Sequence, residues 1–353
     1  MHMADALISP AVGGALWVAT AGLIAFCSKK MRHSFEGMQA PLMGVLGAFI
    51  FAAQMINFTI PGTGSSGHLG GGLILAVLLG PCPAFLAIAS VLTVQALFFA
   101  DGGLLALGCN IINLGLFPCF LAYPFIYRPL VGKKPTQGRI VAGSVLAAVV
   151  GLQLGAFGVV LETLFSGISE LPFSSFVLLM QPIHLAIGLV EGAVTAAVVI
   201  FVWKARPEIL DMAAGNASTG RFSMKKVLVS LAVTTLVVGS GLSWFASAFP
   251  DGLEWAMAKT SGHEELEAPD EGLHATLAHL QEATAFLPDY AFKSGETSEP
   301  LEVMAHPEQL GSAEEAWPAV DMGTSVAGVV GGSLTLLLAW SLTLFLRRSQ
   351  KTA

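Results

Sequence analysis

Charge is scarce in this sequence. Asp, Glu, Lys and Arg together make up 12% of its 353 residues, about half of what a soluble domain carries. There is no basic surplus either. Seventeen Lys and Arg stand against 24 Asp and Glu, a net charge of −7, which excludes phosphate-backbone binding and with it nucleic acid as a partner. The four cysteines (Cys27, Cys82, Cys109, Cys119) lie in apolar stretches without Cys-x-x-Cys spacing, so neither a disulfide framework nor a zinc ribbon is indicated. No G-x-x-x-x-G-K-[ST] phosphate loop occurs, since Gly132-Lys133-Lys134 lacks the upstream glycine, and ATP hydrolysis by that loop is ruled out. H-E-x-x-H and G-x-S-x-G are missing as well, which removes a zinc-protease or nucleophile-elbow site. Nothing points to an enzyme or to an organic cofactor.

What is present is apolar bulk: 54% of the residues are hydrophobic. A membrane span needs about 20 such residues, and runs of this kind fall at 11–27, 41–60, 104–127, 139–164, 174–203, 226–248 and 323–346. The stretch 69–99 is interrupted at Gly80-Pro81-Cys82-Pro83, where proline ends a helix, and is read as two short crossings. Charge parity supports that reading, because cytoplasmic loops collect Lys and Arg. Two crossings put Arg128, Lys133, Lys134 and Arg139 on the same side as Lys29, Lys30, Arg32, Lys204, Arg206, Arg221, Lys225, Lys226, Arg347, Arg348 and Lys351. The expectation is an all-α polytopic bundle of about nine transmembrane helices in the cell membrane, surrounded by lipid, N-terminus outside and C-terminus cytoplasmic. All of the basic residues except Lys259 and Lys293 then lie inside, while 16 of the 24 acids lie in the outer segment 249–322.

The polar segment around 206–225 divides the chain into a seven-helix module, 1–205, and a two-helix module, 226–353, with the acidic segment 249–322 between its two spans. Residues 1–10 carry Asp5 and no basic residue, unlike the n-region of a signal peptide. Because His2 is bulky, the initiator Met1 is expected to stay in place with a free α-amine outside.

Two histidines at the outer face could do chemistry. Met1-His2 offers an amine, a backbone amide and an imidazole, and His68 at the outer end of span two supplies a fourth nitrogen. Nitrogen-rich tetragonal sets suit Ni(II) or Cu(II), and an α-amine with a pKa of about 7.7–8.0 loses its proton readily. On spacing alone two separated histidines are weak grounds for a site, and a loop histidine is the plainer reading.

The surrounding residues carry a resemblance. MHMADALISP at the start, QMINFTIPGTGSSGHLGGGL (54–73), LLGPCPAFLAIASVLTVQALFFADGGLLALGCNIINLG (78–115) and QPIHLAIGLVEG (181–192) resemble the CbiM/NikM family, the substrate-capture components of prokaryotic energy-coupling-factor (ECF-type) cobalt and nickel transporters. FPDGLEWA (249–256) and LPDY (287–290) are similar to the partner component CbiN/NikN, so the chain looks like a fusion of the two. The resemblance implies capture of Co(II) or Ni(II) as transported substrate by a tail folded into the outer mouth, with Met1, His2 and His68 as ligands. It also implies a transmembrane coupling subunit (CbiQ/NikQ-like) and ATPase subunits (CbiO/NikO-like) as partners. One departure is Ala6, where many relatives have glycine. Four planar nitrogens suit Ni(II), whereas the likeness to CbiM leans to cobalt.

Polar residues inside spans are functional candidates by default. Gln54, Asn57, Gln95, Asp101, Asn110 and Asn113 are read either as orienting the imidazoles and the tail or as plain interhelical bonds. Asn57 goes to the first reading, for its nearness to the His68 loop. His184 and Glu191, two turns apart on one helix face, are divided between the same two readings, and His184 goes to packing or coupling. A small-residue face on span one (Ala11, Ala15, Ala19, with Gly14 and Gly22) either meets the coupling subunit or packs inside the bundle. His263, His274, His279 and His306 in the outer segment either gather cations or sit in a solvated, partly flexible loop. Two rivals differ in class: a membrane metal sensor or receptor without transport, and an intramembrane metalloenzyme. The latter needs an acid or base beside an open metal position, and no such motif adjoins His68.

Overall fold

The computed structural model describes residues 2–34, 39–214, 225–293 and 318–351. They form a polytopic helical membrane protein. Six helices are long and apolar enough to cross a bilayer: Pro10–Arg32, Pro81–Phe99, Leu107–Val131, Gln137–Ser166, Phe173–Ala205 and Met322–Thr343. In chain order we label α1 (Pro10–Ser34), α2 (Gln39–Gln54), α3 (Gly72–Leu79), α4 (Pro81–Phe99) and α5 (Leu107–Val131). There follow α6 (Gln137–Ser166), α7 (Phe173–Ala205), α8 (Pro207–Ala213), α9 (Lys225–Ser240), α10 (Gly252–Ser261), α11 (Gly272–Thr284) and α12 (Met322–Lys351).

The break expected within 69–99 is there: α3 ends at Leu79 and α4 opens on Pro81, the one helical position where a missing N–H costs nothing. Yet α3 has only eight residues, about 12 Å at 1.5 Å per residue, too short for a 30 Å hydrocarbon core. The chain reaches it through a two-stranded antiparallel hairpin, β1 (Phe58–Ile60) and β2 (Ser65–Gly67), and then non-helical backbone at 69–71. Such backbone survives within a bundle only if protein groups satisfy it, and they do. The carboxylate of Glu191 on α7 accepts from Gly70 N at 2.8 Å and Gly71 N at 3.2 Å. The amide of Gln54 donates to Gly70 O at 2.9 Å, and Gln95 donates to Gln54 at 3.0 Å. Glu191 is therefore a structural anchor for the loop that carries His68.

Most of α5, Ile112–Tyr127, is wound as a π-helix containing Pro118 and Pro124. Each proline removes a backbone donor and crowds the preceding turn, and a wider winding accommodates it. The pair α6 and α7 packs along its length and is pinned by reciprocal bonds of Gln153 and Gln181 side chains to each other's backbone carbonyls, 2.7 and 3.3 Å. On the opposite flank, α9 and α12 of the second module pack on α2. The face of α1 bearing Ala11, Ala15 and Ala19 is exposed, so it does not pack inside this bundle.

The outer segment differs from expectation. Residues 252–284 fold as α10 and α11 and lie over the mouth of the bundle instead of forming a solvated loop; His306 falls outside the described residues. The reason is local: Asp251 and Glu254 close a capping box at the start of α10, and the apolar residues Leu253, Ala256 and Met257 are then buried together.

Candidate metal centre

Residues 2–9 run into the mouth as an extended segment with one 3-10 turn at Asp5–Leu7. Met3, Leu7 and Ile8 are fully buried, which draws the tail in as a hydrophobic plug. Asn110 pairs with it as a neighbouring strand would: its Oδ1 accepts from Met3 N at 2.8 Å and its Nδ2 donates to Met3 O at 3.2 Å. Gly103 N also donates to Met3 O, at 2.9 Å, and Asp5 accepts from Ala106 N at 2.9 Å. A Cβ at Gly103 would collide with the Asp5 carboxylate, so that position has to be glycine. Ala6 is not among the residues of positive φ, and alanine serves there as well as glycine.

The tail delivers His2 to His68. Their rings stack with centroids 4.9 Å apart at 28°, and both side chains are only 7% exposed. His2 Nδ1 donates to Asp101 Oδ1 at 2.6 Å, while its buried Nε2 has no hydrogen-bond partner among the described residues. Tyr290, stacked on Phe99 at 5.1 Å, donates to the other Asp101 oxygen. Burial would raise the Asp101 carboxyl, but His2 and the Tyr290 hydroxyl outweigh it and bring it to about 2. His68 donates from Nδ1 to Leu69 O at 3.2 Å; burial pulls its pKa down to about 3, so the imidazole is neutral at neutral pH. His68 Nε2 lies 3.8 Å from Asp251 Oδ2. The other Asp251 oxygen caps α10, accepting from Leu253 N at 2.6 Å and Glu254 N at 3.0 Å. Burial opposes ionisation of Asp251, but nearby positive charge holds its carboxyl below the ordinary range. Glu254, which closes the box on Asp251 N at 2.8 Å, is raised by burial to about 7.

The remaining predicted residues sort by distance from this pair. Asn113 donates to Glu162 at 2.7 Å and to the Met3 sulfur at 3.9 Å, supporting the tail one residue beyond His2. Gln54 and Gln95 act through the His68 loop. Among the described residues Asn57 meets neither imidazole, and its backbone carbonyl accepts from Ser247 N at 2.8 Å. Met1 lies outside the described residues. His274 is no surface collector of cations: it is buried and donates to Ile8 O at 2.8 Å, clasping the tail. Gln281 on the same helix donates to Gly102 O at 2.8 Å.

Sequence reading did not assign Asp251, Tyr290 or His274 to this centre. The signal was in the FPDGLEWA and LPDY segments, whose acid and phenol come to His68 and Asp101. Among the described residues no three His, Cys, Asp or Glu side chains already converge on one point. A cavity of about 300 Å³ leads to His2 from between the two modules, lined among others by Asp5, Asp101, Glu254, Glu265 and Asp289. Carboxylates on such a route attract cations.

Comparison with known proteins bears on what the centre is for. Residues 2–209 match the family described as cobalt uptake substrate-specific transmembrane region, and residues 225–348 match the PDGLE domain. A protein of Archaeoglobus fulgidus named for fused nickel transport, NikMN, is 30% identical over 98% of this chain and 99% of its own. The fused nickel transport protein NikMN of Rhodobacter capsulatus is 31% identical over 82% of this chain and 88% of its own. The cobalt transport protein CbiM of Sorangium cellulosum is 30% identical, covering 60% of this chain and 95% of its own. A crystal structure described as a transition metal transporter superposes with a TM-score of 0.52 at 28% identity, covering 58% of this chain and 93% of that one.

Proposed function

The chain belongs to the cobalt uptake substrate-specific transmembrane family, with a PDGLE domain fused behind it, and from that premise we propose that it captures Ni(II) or Co(II) from outside the cell for import. The ion is held by the Met1 amine, the His2 amide and imidazole, and His68. The observation that carries this reading is the stacked His2–His68 pair at the buried end of the tail. Only Nδ1 of His2 closes a six-membered chelate ring with its own amide, and Asp101 holds that nitrogen. In this reading Asp101 keeps the imidazole in place until an incoming ion takes the Nδ1 lone pair; the ring proton moves to Nε2, and the protons lost by the tail amide and amine pass to solvent through the carboxylate-lined cavity. The set is planar and nitrogen-rich, which suits Ni(II), and the relatives matched across both modules are named for nickel. Nickel therefore takes precedence over the cobalt suggested by the likeness to CbiM.

No phosphate loop occurs in the sequence, so energy comes from separate ATPase subunits through a transmembrane coupling subunit. The exposed face of Ala11, Ala15 and Ala19 on α1 supports a close helix contact with that subunit. Uptake of labelled nickel and cobalt, with the coupling and ATPase subunits co-expressed, tests the reading. His2→Ala and His68→Ala are expected to lose uptake, as is a one-residue insertion after Met1, which keeps every side chain but parts the amine from His2. Undiminished uptake by the insertion variant refutes the tail chelate. Ion binding without ATP-dependent accumulation marks a receptor instead of an importer.

A further inference from the structure

Beside the His2–His68 pair a second set of ligand-type groups, sharing His68, lines one small cavity. Its volume is about 10 Å³, and its lining includes His68, His184 and Asp251; about one probe sphere of this size is room for a single water or ion. His184 on α7 is 1% exposed. Its Nδ1 lies 2.8 Å from Met180 O, and a carbonyl only accepts, so Nδ1 carries the proton and Nε2 is left with its lone pair. That Nε2 is buried with no hydrogen-bond partner among the described residues. An imidazole whose far nitrogen is fixed on a backbone carbonyl has the arrangement found in metal-ligating histidines.

Asp251 reaches the same cavity by a different construction. One carboxylate oxygen is committed to capping α10, which aims the other at His68 across 3.8 Å. Metal bonds to imidazole and carboxylate run about 2.0–2.2 Å each, so an ion fits between these two atoms with small adjustment. Gly252 makes the approach possible, because a Cβ there would lie 2.9 Å from Ile183 Cγ2 and 3.2 Å from His184 Cε1. The Asp-Gly pair of the PDGLE segment thus brings a carboxylate beside two imidazoles of the first module.

We propose that His184, His68 and Asp251 form a second, weaker station for the transported Ni(II) or Co(II), which takes the ion from the tail on its way inward. This inference rests on the capture reading above. His68 belongs to both stations and keeps hold of the ion while the amine and amide of the tail let go. Two imidazoles and one carboxylate, completed by water, replace four nitrogens, and a less nitrogen-rich set with open positions binds these late first-row ions less tightly. No electron change is required, and as the tail lets go a proton returns to its amide and another to its amine. The three groups line one cavity without converging at ligand distance, so arrival of the ion draws them together.

The test uses the full chain purified in detergent and titrated with Co(II) alone and Ni(II) alone by calorimetry and visible absorption. His2→Ala removes the chelate and is expected to leave one weak site per chain. Adding His184→Ala or Asp251→Asn to His2→Ala should weaken that site about ten-fold or more. With His2 intact, His184→Ala should keep Ni(II) affinity within about two-fold but slow uptake about ten-fold or more in cells carrying the partner subunits. Because among the described residues His184 bonds only to its own helix, Ala leaves their interhelical bonds intact, and His184→Gln, which keeps bulk and polarity, should reproduce the loss. No residual site in His2→Ala, residual binding indifferent to His184→Ala, or normal uptake by His184→Ala and His184→Gln each overturns the proposal. If His2→Ala binds as tightly as wild type, the failure is of the tail chelate, and is read separately.

Discussion

At the scale of single residues, the centre keeps the His68 imidazole neutral and the Asp101 carboxylate charged. His68, held at about 3 by burial, binds no proton between pH 3 and its unfolded value near 6.5, while the unfolded chain does. Stability therefore rises with pH across that window and is lost as pH falls through it, by up to about 1.4 kcal/mol per pH unit for one such group. The metal-free protein is expected to melt progressively lower below about pH 6.5, and His68→Gln to flatten that slope in thermal scans. Asp101, at about 2, loses its contribution in the same direction but only below the ordinary carboxylate range. Tyr290→Phe keeps the ring on Phe99 and removes one hydrogen bond to a charged acceptor, an expected loss of about 1.5–3 kcal/mol by denaturation. The two histidines that stack at the mouth, His2 and His68, were legible in the sequence since they sit beside quotable motifs. Tyr290, 189 residues from Asp101, and Asp251, in a separate module from His68, were not, because no local periodicity records a contact made only on folding.

At the scale of elements, the loop carrying His68 is held by Glu191, and this sets a stability test. Glu191→Ala strands the Gly70 and Gly71 N–H groups, at a cost of about 1–3 kcal/mol each. Glu191→Gln keeps one acceptor and should lose roughly half as much, and calorimetric unfolding ranks the three proteins. Asp251→Ala removes the α10 cap, worth about 1 kcal/mol, so both its stability and its metal binding should fall. The Gly80–Pro81 break was readable because proline chemistry is local. The brevity of α3 was not: the apolar run over 69–99 looks the same whether its first residues are helix or buried coil, and only the partners Glu191 and Gln54 decide. The π winding of α5 was equally invisible, although Pro118 and Pro124 hinted that an ordinary helix would be interrupted there.

At the scale of the whole molecule, the two modules share one mouth. The first supplies the tail, His68 and Asp101; the second supplies Asp251, His274, Gln281 and Tyr290, while α9 and α12 pack on α2. Expressed as two chains divided within 215–224, the halves are expected to co-purify in detergent, and the first half alone to bind nickel more weakly. Equal nickel affinity with and without the second half would contradict that division of labour.

The clasp of His274 on Ile8 joins residues 266 positions apart, and this has a bearing on biogenesis. The ribosome makes the tail first and its clasp near the end. At about 5–20 residues per second, the interval is roughly ten to fifty seconds. Through that interval the tail has Gly103, Ala106 and Asn110 to pair with but not His274. Completion of the mouth is therefore a late event, and a nascent chain stalled before residue 251 presents a tail held from one module only.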